Sequence, residues 1–493
     1  MTRFVKPTRR EWLLGAASLL AAGCTPHEAQ ESAARPATPA KTAGRRVVVI
    51  GAGLSGLVTA LDLVQSGVEV LVLEAQQRPG GRILTIRAPF TDGLYVEAGA
   101  THVVGDPDLL ALVASVELPL IRPKPVRGLN AVMHMDGKRV ALGPDGHPPE
   151  RNVFSAEEDK LGFEGRLRKY FGNATSFAPD GPWPPPALAR HDAQNGIELL
   201  TDLGASPGFT ADFGAGLIAE RMTEVSGAFV MREMAGLLRD LGREGGGRIA
   251  GGSDRLPAAL AQRLGARIVY GAEVKRIEQD ERGARVSFVR RGVLEQLDAE
   301  RIVCAIPYSV LRHLEVAPAF SPAKQRAVRE LPMVSAARVC AQFDRRFWQE
   351  RGDAGDAETD LAVGSVRDET KLQVGTAGVL GSFLTGDPSR RLTALPPAER
   401  LRAFMEAAEK VHPGAKEHFV AGTTKCWDED PFARGAFAWF KPGQMAALGP
   451  GMTSTEGRVH FAGDHTSHRP GWMHGALASA KRVVREVLAA RVT

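Results

Sequence analysis

Four apolar residues followed at once by a glycine-rich turn place the strongest constraint on this chain. Val47-Val48-Val49-Ile50 is a β-branched run without polar alternation, the pattern of a parallel strand buried on both faces. Gly51-Ala52-Gly53-Leu54-Ser55-Gly56 follows directly and predicts a tight turn opening a helix that runs to about Ser66. In such a unit Gly51 permits the turn, Gly53 lets a pyrophosphate come close to the backbone, and Gly56 lets the helix lie against its strand. The helix N-terminus, at Leu54 and Ser55, offers free N–H groups and a positive dipole end to phosphate. A second strand, Glu69–Leu73, ends in Glu74, where a carboxylate can accept hydrogen bonds from a ribose and would repel a 2′-phosphate. The spacing therefore predicts FAD or NAD rather than NADP. A lone glycine motif is weak, but strand, helix, second strand and acidic end together are the context that gives it meaning. The next segment, Arg78-Pro79-Gly80-Gly81-Arg82, favours FAD, because a glycine pair before Arg82 can thread its cation beside the diphosphate and flavin.

The 44 residues before this unit read differently. Thr8-Arg9-Arg10-Glu11-Trp12-Leu13 contains a twin-arginine pair, followed by an apolar run to Gly23 that is too short to span a bilayer. Residues 1–23 are expected to be an export signal of the twin-arginine type, a route that moves folded, cofactor-loaded proteins. The run ends Ala21-Ala22-Gly23-Cys24, which is similar to a lipoprotein lipobox with alanine where leucine is usual, so Cys24 is a candidate lipid anchor. Residues 24–44, with Pro26, Pro36 and Pro39, read as a flexible tether. Expected localisation is periplasmic or at the cell surface. The signal carries +3 of the net charge of +5, and no basic run has interleaved aromatics, so a nucleic-acid partner is not expected. The four cysteines, Cys24, Cys304, Cys340 and Cys426, form no CxxC pair and have no metal-ligand spacing with histidine, which predicts no metal site. Cys304 reads as a packed core thiol.

With 493 residues the chain has length for two or three domains. Segments resembling a nucleotide domain alternate with others. Residues 103–244 look helical with proline loops, and one helix is expected over Ala215–Leu241, its Met222, Met231 and Met234 serving the core. A helix is predicted at Leu256–Leu264, strands near Arg267–Tyr270, Glu273–Glu278 and Arg301–Ile306, and a hairpin around Arg285–Val293. A strand at Arg458–Phe461 ending in Gly463-Asp464 precedes a helix from about Trp472 to Ala489.

Two distant blocks now point to one family. Gly51–Arg82, Phe461-Ala462-Gly463-Asp464-His465-Thr466 and Pro470-Gly471-Trp472-Met473-His474-Gly475-Ala476 together resemble the flavin-dependent amine oxidases, which include monoamine, polyamine and L-amino-acid oxidases. Gly251–Leu256, Val274–Ile277, Ala305-Ile306-Pro307, Arg346-Phe347-Trp348 and Trp427–Pro431 extend the resemblance from residue 45 to the end. It implies an α/β fold in which a Rossmann-like FAD-binding domain (45–102, 245–310 and 445–493) is interrupted by an α+β substrate domain (103–244 and 311–444). It also implies that Val274 meets the adenine through its backbone, although ordinary strand core is the alternative. Asp464, at a strand end beside Gly463, is placed to bind ribityl hydroxyls. The helix starting near Trp472 and Met473 can aim its positive end at the flavin pyrimidine ring.

The resemblance implies an amine held between aromatic walls, with Trp472 as one wall and Phe437 or Trp439 as the other; simple packing is the alternative for Trp472. Such walls exclude water and suit a neutral amine. Two positions depart from the family. Its flavin-facing lysine falls here on Arg338, whose guanidinium cannot act as a base, and which either donates to a water near flavin N5 or makes a structural ion pair. His102 stands where L-amino-acid oxidases place a carboxylate-clamping arginine, and is either a substrate contact or a hydrogen-bonded core histidine. The expectation is FAD-dependent oxidation of a small amine, with hydride passing to flavin N5, imine hydrolysis and reoxidation by oxygen to give hydrogen peroxide. Rivals are an L-amino-acid oxidase, a dehydrogenase feeding a membrane quinone or cytochrome, and a non-catalytic FAD-stabilised binding protein.

Overall fold

Arg46–Ile50 becomes the middle strand of a five-stranded parallel sheet, in the order Val459–Phe461, Arg301–Cys304, Arg46–Ile50, Glu69–Glu74 and Ile268–Tyr270. The computed structural model describes residues 46–122, 128–142, 154–174, 181–216 and 219–492. The twin-arginine segment, Cys24 and the tether of residues 24–44 lie outside the described residues. Both faces of the middle strand are covered, which is why its sequence lacks polar alternation. Val47 and Val49 face a core shared with the helix Leu54–Gln65 and the C-terminal helix Met473–Val492, while Val48 and Ile50 face a second core.

A four-stranded sheet joins Val293–Ala299, Ala284–Arg290, Glu273–Gln279 and Glu315–Ala317. Its predicted hairpin turns at Arg291-Gly292, both with positive φ (52° and 78°), which matches the right-handed twist of the flanking strands. A seven-stranded mixed sheet runs Phe419–Cys426, Ala336–Phe343, Gly378–Thr385, Ser365–Asp368, Asp353–Thr359, Asn130–Met135 and Lys138–Ala141. The fold is therefore α/β, a Rossmann-like sheet combined with an α+β portion, as expected from the sequence.

Two expectations need correcting. The single helix over Ala215–Leu241 is two helices, Pro207–Gly216 and Gly227–Leu241. Ser226 starts the second by accepting the Phe229 N–H at 3.3 Å, and its hydroxyl donates to Asp192 at 2.9 Å. A serine in that position is a helix-start signal, which the apolar periodicity masked. Met222, Met231 and Met234 are buried in the core, as their apolar character predicts. Residues just after His102 also stay with the nucleotide sheet. The helix Pro107–Ser115 places Leu109 and Val113 in the same core as the first helix. Cys304, Cys340 and Cys426 are free, buried thiols.

One buried charge-bearing side chain sits inside this framework. Lys324, on the helix Pro322–Glu330, is fully buried with its Nζ 3.7 Å from the Phe461 ring centroid. Its Nζ donates to the Tyr308 hydroxyl at 2.9 Å, and that hydroxyl donates to the Met452 carbonyl at 2.7 Å. Burial pulls its pKa down to about 7, with Arg482 acting in the same direction and Glu456 against it. An unfolded lysine titrates near 10.5. Below pH 7 both states are protonated and the folded state bears the full cost of the buried ammonium. As pH rises from about 7 toward 10.5, only the unfolded state is still protonated, so that cost fades. Lys324→Met is expected to raise folding stability by a few kcal/mol, on the order of the shift, at pH 7 and below. The gain should shrink steadily toward pH 10 in denaturant titrations; a gain independent of pH would contradict the buried-charge account.

Candidate active site

The glycines at the head of the first strand build an open cradle. Gly51 has φ +100°, and a Cβ there would meet Ile306 Cγ2 at 3.0 Å. Gly56 allows the helix to close on the turn, since a Cβ would lie 2.0 Å from the Gly51 carbonyl oxygen. Gly53 is different: its φ is −68°, ordinary for any residue, and nothing lies within 4 Å of where its Cβ would be. No side chain caps the helix at Gly53, so the N–H groups of the first turn face that open space. A parallel bridge between Gly53 and Gly80 brings the Gly80-Gly81 pair alongside. Glu74 closes the far side, its Oε2 accepting the Ala52 N–H at 2.7 Å and its Oε1 the Gln76 N–H at 2.8 Å. Burial raises the Glu74 pKa against the pull of those two donors and of Arg78. The cradle fits a dinucleotide: a gap left by an absent side chain, uncapped N–H donors of the helix's first turn, and the carboxylate of Glu74 at the end of the second strand, in the same cavity wall.

Two segments far apart in sequence, around Arg82 and Asp464, meet at this cradle. Arg82 Nη2 donates to Asp464 Oδ1 at 2.5 Å and its Nη1 to the Ala436 carbonyl at 2.6 Å. The Gly471 N–H donates to Asp464 Oδ2 at 2.7 Å. Burial alone would raise the Asp464 pKa, but Arg82, His465 and the Gly471 N–H together hold it below the usual carboxylate range. Arg82 is thus no solvated surface charge, and Asp464 has Arg82 as its first partner.

A cavity of about 710 Å³ runs from the cradle into a second chamber. Its wall includes Gly51, Gly53, Leu54, Ser55, Glu74, Gly81, Arg82, Val274, Asp464, Trp472 and Met473 from the expected cofactor set, and His102, Arg338, Phe437 and Trp439 from the expected substrate set. Two expected cofactor residues are not in the wall. Gly56 serves the turn, as above. Gly463 is conformational, with φ +138°, its N–H donating to Ser479 at 2.9 Å, and a Cβ there would strike the His465 ring at 2.4 Å. Both were chosen from the motif, which does not separate residues that touch a ligand from residues that shape the turn.

The second chamber is aromatic. Phe437 packs against Gly471, where a Cβ would come within 2.9 Å of its ring, so Phe437 abuts the start of the Trp472 segment. Trp439 also reaches the wall but is 94% buried in core. His102 is no core histidine: its ring is exposed to the cavity. Burial among the walls, then Arg248 and Arg338 against Glu369, bring its pKa down to about 4, so the imidazole is neutral. Arg338 Nη1 donates to Glu369 Oε1 at 2.7 Å while its Nε is buried without a partner. Its guanidinium also lies 5.0 Å from the Phe383 ring centroid, because Arg338 and Phe383 are cross-strand partners. The ion pair is thus the arrangement seen for Arg338, with Nε left over as a donor.

Several wall residues escaped sequence reasoning. Phe383 depends on strand pairing that no local pattern encodes, as does Glu369 behind the wall as the partner of Arg338, and Phe229, Glu233 and Leu237 come from a helix that starts later than expected. Trp427, whose indole donates to the Ala98 carbonyl at 2.9 Å, lay within a noted motif and was legible as a site residue. Among the described residues no cysteine lines the cavity.

Comparison with known proteins agrees with this geometry. A family model described as flavin containing amine oxidoreductase matches residues 54–488. A Bacillus subtilis (strain 168) protein, YobN, which carries an L-amino-acid oxidase name, is 30% identical over 458 residues, 90% of this chain and 94% of its own length. Flavin-containing amine oxidase B of Sus scrofa is 27% identical over 459 residues, 90% of this chain and 86% of its own. The solved structure of putrescine oxidase bound to putrescine superposes with a TM-score of 0.77 at 22% identity, covering 90% of this chain and 99% of that one.

Gly53→Ala tests the cradle without disturbing the protein. The backbone angle suits alanine and its Cβ meets no protein atom, so flavin-free protein should melt at the parent temperature. Flavin affinity, measured by titration of the stripped protein, should fall about tenfold or more, since 1.4 kcal/mol of lost contact is a factor of ten. Unchanged affinity would mean that no ligand approaches Gly53.

Proposed function

The chain belongs to the flavin-containing amine oxidoreductases, and from that premise we propose that its substrate is a small amine, taken up as the neutral species beside Trp472. The activity is FAD-dependent oxidation of an amine C–N bond. FAD supplies a two-electron acceptor for the hydride of the α-carbon, and the resulting imine hydrolyses to a carbonyl compound and ammonia or a smaller amine. Gly53, Leu54 and Ser55 would hold its diphosphate, Glu74 its ribose, and Asp464 its ribityl chain. The substrate chamber belongs to Trp472, Phe437 and Trp439, whose faces exclude water and disfavour an ammonium's hydration shell.

The observation that carries the amine reading is the spent charge at the chamber's polar end. Arg338 is paired with Glu369, and His102 is neutral, so neither presents a free cation to a substrate carboxylate. His102 remains a hydrogen-bond acceptor and donor for an amine. One observation favours a second reading, an L-amino-acid substrate: Arg434 contributes an exposed residue to the same cavity wall. Oxygen is the proposed electron acceptor, with a membrane quinone or cytochrome as the alternative. Arg9-Arg10 and Cys24 support export by the twin-arginine route and anchoring through lipid at Cys24, at the periplasmic or cell-surface side.

Anaerobic mixing with a panel of amines and amino acids should bleach the flavin with primary or secondary amines and leave it coloured with α-amino acids. The reverse pattern would move the assignment to amino-acid oxidation. Admitting oxygen should then recolour the flavin with release of peroxide. Recolouring by a quinone analogue alone would identify a dehydrogenase. Trp472→Ala should slow reduction at saturating amine by roughly a hundredfold, the scale of lost orientation, while flavin affinity changes little.

A further inference from the structure

Helix Gly227–Leu241 carries a glycine within it, which destabilises a helix relative to alanine and so calls for a reason. The reason is a notch. A Cβ on Gly236 would lie 1.4 Å from Arg469 Nη1 and 2.3 Å from its Cζ. A second glycine accommodates the same residue from the other side, since a Cβ on Gly475 would lie 2.0 Å from the Arg469 carbonyl oxygen. The guanidinium that fills this notch is 93% buried and takes no part in the cavity wall. It is clamped on every side. Nη2 donates to Asp240 Oδ2 at 2.5 Å, Nη1 to the Glu233 carbonyl at 3.4 Å, and Nε to His474 Nε2 at 3.1 Å. Burial and the Arg469 charge bring the His474 pKa down to about 3, so its ring is neutral and Nε2 is free to accept.

This clamped cation lies 5.1 Å from the centroid of the Trp472 ring. Trp472 itself is only half-buried and precedes the first residue of the C-terminal helix, so its backbone alone does not fix its indole plane. The ring quadrupole attracts a cation over its face, and a fixed cation there favours one indole orientation over others. We propose that Arg469, seated in the Gly236 notch and fixed by Asp240 and His474, is a positioning residue that sets the Trp472 indole plane before the amine arrives. The inference rests on Trp472 being a wall of the amine site.

A double-mutant cycle in the FAD-loaded enzyme separates the two ideas. Gly236→Ala should displace the guanidinium and slow anaerobic flavin reduction at saturating amine about tenfold, with flavin affinity retained. In a Trp472→Ala background the same change should cost less than about twofold, because the group that Arg469 acts through is gone. Equal losses in both backgrounds, or no loss in the parent, would overturn the positioning role. If Trp472→Ala alone leaves reduction unchanged, the wall assignment fails instead, and the two failures are distinct. A readout independent of turnover uses the flavin-free protein: the near-ultraviolet circular dichroism difference between parent and Trp472→Phe isolates this indole's signal. Gly236→Ala and Arg469→Met should each abolish that signal, whereas Arg469→Lys should keep part of it. Should Gly236→Ala not fold, the Arg469→Met cycle against Trp472→Ala decides the question by the same criterion.

Discussion

The ion pair between Arg82 and Asp464 ties together residues 382 positions apart in sequence. Each partner is costly to bury alone, because an unpaired charge in a low-dielectric interior loses its hydration without compensation. Together they bring the glycine-rich turn of the first strand to the start of the C-terminal helix. Residues 50–102 and 427–476, which that junction joins, both contribute to the cavity wall, alongside residues 219–383. The Gly471 N–H adds a backbone donor to the same carboxylate, so the segment leading into Trp472 is held by the pair as well.

Electrostatically the site is quiet where chemistry on a neutral amine needs it to be. The histidines nearby, His102 on the cavity wall and the buried His465 and His474, all have pKa values well below neutrality, first because desolvation disfavours the imidazolium and then because arginines stand near them. The arginines in turn are mostly paired, Arg82 with Asp464, Arg338 with Glu369 and Arg469 with Asp240. Beside these paired charges the cavity wall carries aromatic surface, neutral polar groups and the exposed Arg434.

The nucleotide half was legible because its information is local. A strand, a turn with obligatory glycines and a capless helix start fall within 20 residues of one another, and the physics of phosphate binding acts on that scale. Val47–Ile50 lie in the first strand and Glu74 ends the second, as residue type and spacing predict. The substrate half was legible only in part. Phe437 and Trp472 stood out through motif resemblance, whereas Glu369 and Phe383 reach Arg338 only through the pairing of strands Ala336–Phe343 and Gly378–Thr385. The helix start at Ser226 was missed because a run of apolar residues looks continuous whether or not a serine interrupts it. Gly56 and Gly463, named with the cofactor motifs, act through backbone geometry, Gly56 by letting its helix close on the turn and Gly463 at a φ of +138°.

The order of strands in the parallel sheet also dictates a timetable. Arg46–Ile50 leaves the ribosome early, yet one of its two neighbours, Arg301–Cys304, is made some 250 residues later, and that strand's far neighbour, Val459–Phe461, comes close to the end. Loop closure over such separations is slow. The Arg82–Asp464 pair cannot form until residue 464 has been synthesised, and a stop codon ahead of residue 459 yields a polypeptide whose parallel sheet lacks Val459–Phe461. Quality control acting on such a protein has one late event to monitor, the docking of the last strand and helix.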